Sequence, residues 1–223
     1  MPVTSRQLTK PGTAALSDAL GKRGAMDYDM QCRSANPIMA GPAYTVRVHT
    51  ADILMIALAL KQCPKGHVLV IDGQGELNTA LWGELTTYSA YGKGLAGIVI
   101  DGAIRDARKI SKHKLPVFAR AVVPNGGGTE YLGEINGTVC CGGQVVRPGD
   151  WVVGDHDGIV VIPVESADAV LETAMRIVKA EKKIERAILD GVELADLLQT
   201  EALVEKKRSG VFIPQLRAEQ PPK

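Results

Sequence analysis

The sequence predicts an α/β fold that ends in a long helix, and three observations carry that reading. Two apolar runs, His67–Ile71 and Ile98-Val99-Ile100, are too short for helices and rich in β-branched residues, as strands buried on both faces are. From Leu115 to Ile162, strand-like segments alternate closely with turns built from Gly, Pro and Asp. From Glu165 to Leu189, Val170, Ala174, Ile177, Val178, Ile184 and Ile188 form one apolar stripe. It lies opposite Lys179, Lys182, Lys183, Glu185 and Arg186, the pattern of an amphipathic helix packed on a sheet.

Composition narrows the class. A chain of 223 residues with 45% hydrophobic content can bury a large core, and it reads as one domain, 1–189, with an extension, 190–223. Lys+Arg 26 against Asp+Glu 25 leaves no basic block, so no nucleic-acid partner is expected. MPVTSRQLTKPG lacks the apolar core of a signal peptide, and the longest apolar stretch, Ile53–Leu60, is too short to span a bilayer. A cytoplasmic protein with no membrane segment is expected. Cys32, Cys63, Cys140 and Cys141 show no metal or redox spacing and read as packed core thiols.

Taken in order, Thr13–Gly21 is a short helix with a glycine stop, and Lys22–Pro37 is a loop. Gly41–Val48 alternates Tyr44, Val46 and Val48 with smaller partners, as a strand with one face on the core does. Asp52 caps the helix Ile53–Lys61, whose nearly all-round apolar surface predicts burial on more than one side. The strand His67–Ile71 runs into the glycine-rich loop Asp72–Glu76. Asn78 replaces the last glycine of a dinucleotide fingerprint, so these glycines are read as allowing close backbone approach. Gly83-Glu84-Leu85-Thr86 opens a helical turn whose free N–H groups would bind an anion such as a carboxylate.

The chain is organised around Gly97–Ile110. Its strand is expected to stop at Asp101-Gly102, with Ile104, Ala107 and Ile110 marking a short helix. Strand ends in α/β folds are where ligands bind, and Arg105 beside Asp106 pairs a cation for an oxyanion with a hard oxygen ligand for a divalent metal. A structural reading stands beside it: Asp101 as helix cap, Arg105 as its surface ion-pair partner, and Asp106 favoured by the helix dipole. Glu84 likewise is either a first-turn acid or a carboxylate facing the pocket of Arg105.

Pro124–Gly128, PNGGG, reads as a flexible turn. His156 between Asp155 and Asp157 resembles a metal cluster, but D-x-D-G between strands is ordinary turn chemistry. Val192–Lys207 looks helical, and Val211–Lys223, with three prolines, is expected to be extended.

Several of these segments together, LSDALG, GPAYTV, VIDGQGELNTALWGEL, GIVIDGAIRD and PGDWVVGDHDGIVVIP, resemble the RraA-like family over residues 13 to 189. That family includes regulators of RNase E activity and the divalent-metal-dependent 4-hydroxy-4-methyl-2-oxoglutarate / 4-carboxy-4-hydroxy-2-oxoadipate aldolases. The resemblance implies a swivelling-type β/β/α sandwich, assembled as a homotrimer or homohexamer with active sites between subunits. It implies that Gly83, Glu84, Leu85 and Thr86 hold the pyruvyl carboxylate of a small 2-keto acid and that Arg105 binds its oxygens. Asp106 would hold Mg²⁺ or Mn²⁺, and Glu84 would stand near a metal-linked water acting as base. The implied reaction is retro-aldol release of pyruvate, with oxaloacetate decarboxylation through the same enolate. A non-catalytic regulator that binds a ribonuclease is the alternative. A Schiff-base aldolase fits poorly, because Lys65, Lys93, Lys109, Lys112 and Lys114 all lie in polar or turn contexts.

Overall fold

A computed structural model describes residues 3–209; the extended tail expected over 211–223 lies outside them. The chain opens with α1 (Ser5–Leu8), α2 (Gly12–Ala19) and the short strand β1 (Gln31–Cys32). Three crossovers follow: β2 (Met39–Arg47), α3 (Leu54–Gln62), β3 (Val68–Trp82), α4 (Glu84–Gly92), β4 (Gly97–Ile104), α5 (Ala107–Ile110) and β5 (Val117–Val122). Five short strands, β6 (Glu134–Ile135), β7 (Val139–Cys141), β8 (Gln144–Val146), β9 (Trp151–Asp155) and β10 (Gly158–Ile162), precede α6 (Ala167–Leu189), α7 (Leu194–Leu197) and α8 (Thr200–Arg208).

Strands β2 to β5 run parallel in the order β5-β4-β3-β2. Strand β2 belongs to two layers. Its first residues, Met39–Pro42, pair antiparallel with β9, and Ala43–Arg47 pair with β3, so the β9–β10 hairpin continues from the parallel centre. One core lies between the sheet and the crossover helices, with Ile56, Leu60, Ile71, Ile98, Ile100 and Ile110 buried in it. The second lies on the other face, where Val68, Val70 and Val99 meet Val139 and Cys141 of β7, Val146 of β8, Val152 of β9 and Ile159 of β10. Ile98 and Ile100 face one core and Val99 the other, as a strand covered on both sides requires. The result is a β/β/α arrangement with a long C-terminal helix.

Several local expectations are corrected. Strand β4 does not stop at Asp101-Gly102 but continues to Ile104, and Asp101 is buried within it rather than capping a helix. A buried carboxylate needs partners. Asp101 receives Nε of Arg120 on the neighbouring strand at 2.5 Å and the Gly142 N–H at 2.7 Å. Arg120 also grips Asp29 and Asp27, and with Asp101 these contacts hold its guanidinium firmly protonated. The glycine-rich stretch 72–76 is not a loop but a bulge inside β3, with Gln74 and Gly75 at φ 58° and 71° and pairing resumed at Glu76↔Gly102.

Helix α3 leaves one side open, with Leu54 and Leu58 exposed; its N-cap is Ile53 rather than Asp52, which stands one residue earlier and accepts the Leu54 N–H at 2.8 Å. Cys63 and Cys141 are buried as expected; Cys140 is exposed because neighbouring residues on a strand face opposite ways.

The chain divides into two compact units, one ending at Ile177 and the other beginning at Val178. In the first, Ala167, Val170 and Ala174 are the buried residues of α6. The second comprises the end of α6 with α7 and α8, and among its described residues none is buried. No described helix is long and apolar enough to cross a membrane.

Candidate active site

The sequence-predicted site residues meet at the carboxyl ends of β3 and β4, where open parallel sheets place their ligands. Trp82 and Ile104 are the last registered pair of those strands. One residue further, the Arg105 N–H still donates to the Trp82 carbonyl at 2.9 Å, which sets Gly83 and Glu84 beside Arg105 and Asp106. On the far side, the Val123 N–H donates to the Ile104 carbonyl, so the end of β5 closes the same corner.

Asp106 is the strained member. Its backbone lies in the left-handed region, φ 60° and ψ 30°, which costs a non-glycine residue about 1 kcal/mol or more. The conformation turns its side chain toward α4: Oδ2 accepts the Glu84 N–H at 3.0 Å and lies 3.9 Å from Arg105 Nε. Gly83 must be small here, since a Cβ would stand 2.8 Å from that oxygen. The Glu84 N–H is thus already used. The first-turn N–H groups of Leu85 and Thr86 have no acceptor among the described residues and remain available to an anion. Thr86 itself is turned inward, its hydroxyl accepting the Gly83 N–H at 3.0 Å.

Arg105 is about half exposed, and its Nη1 lies so near Gly126 that a Cβ there would approach to 2.6 Å. A cleft of ≈ 450 Å³ is bounded by Ile53, Trp82, Glu84, Arg105, Asp106 and Gly126. A second hollow of ≈ 460 Å³ shares Arg105 and Asp106 and is walled by Val122, Val123 and Pro124. Glu84 lines the cleft, and Lys109 Nζ bonds its Oε2 at 2.5 Å. That bond and the attraction behind it raise the Lys109 ammonium above its ordinary range.

Sequence reasoning missed two features. Lys109 reads in sequence as one of several lysines in polar contexts, although its position three residues beyond Asp106 on a helical turn puts it within reach of Glu84. Pro124–Gly128 is not a flexible turn: the Ala80 N–H bonds the Asn125 carbonyl and the Gly127 N–H returns to the Ala80 carbonyl. Glycines without side chains are here a sign of close backbone approach.

Among the described residues no three His, Cys, Asp or Glu converge into a metal-holding group. Asp106 offers one carboxylate oxygen, Oδ1, that no described hydrogen bond occupies, at the edge of an open cleft. One or two carboxylates completed by water and substrate oxygens are what Mg²⁺ or Mn²⁺ accepts. At His156 the neighbouring Asp155 is spent on Thr13, through its N–H at 2.7 Å and hydroxyl at 2.6 Å, and on the Asp157 N–H.

Fold and site define an α/β protein in which a helix start with unoccupied N–H groups stands opposite an Arg-Asp pair at a strand end. The sequence model of the RraA-like family, aldolase/RraA, matches residues 13–161, and the chain belongs to that family. A protein of Methanocaldococcus jannaschii with no assigned activity is 42% identical over 168 residues, covering 74% of this chain and 79% of its own. A protein of Halalkalibacterium halodurans named "Putative 4-hydroxy-4-methyl-2-oxoglutarate aldolase" is 36% identical over 180 residues, covering 81% and 86%. Among solved structures, Streptomyces coelicolor RraAS2, described as an unusual member of the RNase ES inhibitor RraA protein family, superposes with a TM-score of 0.73. It is 27% identical, over 84% of this chain and 100% of that one.

Proposed function

We propose that the protein is a divalent-metal-dependent pyruvate aldolase. It cleaves 4-hydroxy-4-methyl-2-oxoglutarate or 4-carboxy-4-hydroxy-2-oxoadipate and also decarboxylates oxaloacetate. The observation that carries the reading is the convergence on one cleft of the Arg105 guanidinium, the Asp106 carboxylate and the free N–H groups of Leu85 and Thr86. The aldolase name borne by the Halalkalibacterium halodurans relative supports it.

In this reading the substrate's pyruvyl carboxylate lies on the start of α4, against the N–H groups of Leu85 and Thr86, with Gly83 keeping the approach open. Mg²⁺ or Mn²⁺ on Asp106 would supply polarisation of the keto carbonyl. The Glu84 carboxylate, steadied by Lys109, takes up the proton leaving the C4 hydroxyl through water. The C3–C4 bond breaks, C4 becomes a carbonyl, and the electron pair passes into the enolate of pyruvate, whose oxygen faces Arg105. Protonation at C3 completes pyruvate. Oxaloacetate loses carbon dioxide through the same bond and the same enolate. Lys109 is no Schiff-base nucleophile, since Glu84 favours its protonated form.

A homo-oligomer, trimer or hexamer, suits the site's openness: Leu85 and Val122 stand exposed at its rim. The likeness to RraAS2 favours a second reading, a regulator that binds a ribonuclease.

Pyruvate release from 4-hydroxy-4-methyl-2-oxoglutarate and from oxaloacetate, with Mg²⁺ and with EDTA, separates the readings. EDTA-sensitive release above the metal-only background supports the aldolase. No release from either substrate, with capture of a ribonuclease, supports the regulator.

A further inference from the structure

Asp52 lies outside the site just described. It is 2% exposed and forms no salt bridge among the described residues. Its carboxylate is satisfied by backbone alone. Oδ1 accepts the Leu54 N–H at 2.8 Å, while Oδ2 accepts the N–H groups of Glu130 at 2.5 Å and Tyr131 at 3.0 Å. One oxygen therefore serves the start of α3, and the other holds a loop 78 residues further on.

That loop also forms the wall behind Arg105. The Gly128 N–H donates to the Ala51 carbonyl and the Ile53 N–H to the Gly128 carbonyl, each at 2.9 Å, which seats the glycine run on the segment carrying Asp52. A Cβ on Gly127 would lie 2.8 Å from the Ala51 oxygen, so the two backbones are in full contact. Gly126, on the loop's other side, backs the guanidinium of Arg105. Asp52, the loop and Arg105 thus form one continuous stack. A buried carboxylate with three backbone donors is a rigid anchor.

We propose that Asp52 is a positioning residue: by pinning residues 126–131 it sets where the Arg105 guanidinium points into the cleft. It touches no substrate and acts through Arg105. The catalytic part of this inference rests on the aldolase reading; the placement of Arg105 does not.

The test uses the full chain carrying Asp52→Ala and, separately, Gly127→Ala, which wedges the same contact open from the loop side, against the Ala51 carbonyl and the Ile53 side chain, and leaves the Asp52 carboxylate in place. Arginine labelling by phenylglyoxal, read at Arg105 by peptide mass spectrometry with Arg33 as internal reference, requires no activity. The proposal expects a severalfold change at Arg105 in both variants and none at Arg33. It also expects kcat to fall roughly tenfold or more with a smaller change in KM, since small misplacements near the reacting atoms are expensive in rate. Asp52→Asn should recover part of that loss. Placed on Arg105→Ala, either change should cost nothing further. Unaltered Arg105 labelling in folded Gly127→Ala, or losses that add to those of Arg105→Ala, would overturn the proposal. If wild-type protein releases no pyruvate, the aldolase reading fails while the labelling arm still decides the positioning.

Discussion

The Glu84 N–H donates to Oδ2 of Asp106 at 3.0 Å, joining residues 22 positions apart in sequence. This bond ties the start of α4 to the end of β4. It occupies one carboxylate oxygen and leaves Oδ1 without a described hydrogen bond; in the proposed reading, the residue that organises the corner also binds the cation.

Replacing Asp106 should separate these two tasks. Asn tolerates the left-handed backbone and keeps an oxygen for the Glu84 N–H, but it lacks charge. Asp106→Asn should therefore melt within about 1 kcal/mol of wild type in stability, by the usual scale of surface substitutions, yet lose its response to added Mg²⁺. Asp106→Ala should lose the Mg²⁺ response as well and add backbone strain. Thermal melts and a metal titration of pyruvate release check both.

Arg105→Ala removes the cation that the proposed mechanism sets against the enolate oxygen, and should cost about 3 kcal/mol, or roughly a hundredfold or more in turnover. The side chain is half exposed, so folding should be little affected. Arg105→Lys should recover only part of the loss, because an ammonium cannot reproduce the planar fork. Steady-state kinetics on oxaloacetate with circular dichroism of each variant makes the comparison.

The thiols should differ sharply in reactivity. Burial pushes Cys63 up to about 12 and raises Cys141 well above the ordinary thiol range, whereas Cys140 is exposed. At pH 8 a thiol reagent should label Cys140 first, with Cys63 and Cys141 reacting only after unfolding. Cys140→Ser should remove the fastest phase and leave the half-buried Cys32 as the most accessible thiol. A fast phase that survives Cys140→Ser and maps to Cys63 or Cys141, rather than to the half-buried Cys32, would contradict the burial argument.

Acid should weaken the fold through Asp52. Burial alone would raise this carboxyl, but hydrogen bonds from Glu130, Leu54 and Tyr131, aided by the charge of His49, outweigh it and leave the group lowered. A lowered folded pKa means that the stabilisation is fully present above the unfolded value of about 4 and is lost as pH falls through the folded value. Urea denaturation from pH 6 downward should show a decline on the acid side that is shallower in Asp52→Asn.

Much of this architecture is legible in local pattern. The strand at Ile98–Ile100, the helix opened by Gly83 and the adjacency of Arg105 and Asp106 all follow from spacing within a few residues. What escaped is non-local. Asp101 reads as the end of a strand because a carboxylate rarely continues one; its partner Arg120 is 19 positions away on the neighbouring strand. The pairing of Glu84 with Lys109 spans 25 positions and exists only because two strand ends are registered. The glycines at 126–128 carry no signal of their partners, which are Ala80, Ala51 and Arg105. Composition there reads as freedom, whereas the packed backbone removes it.

The most direct test of the pyruvate-enolate claim needs no knowledge of the physiological substrate. Pyruvate is incubated with the protein and Mg²⁺ in D₂O, and its methyl signal is followed by proton NMR. The enzyme should exchange those protons for deuterium faster than Mg²⁺ alone, with the exchange abolished by EDTA and by Arg105→Ala. A methyl signal that decays no faster with protein than without it would contradict the assignment of this cleft to pyruvate-enolate chemistry.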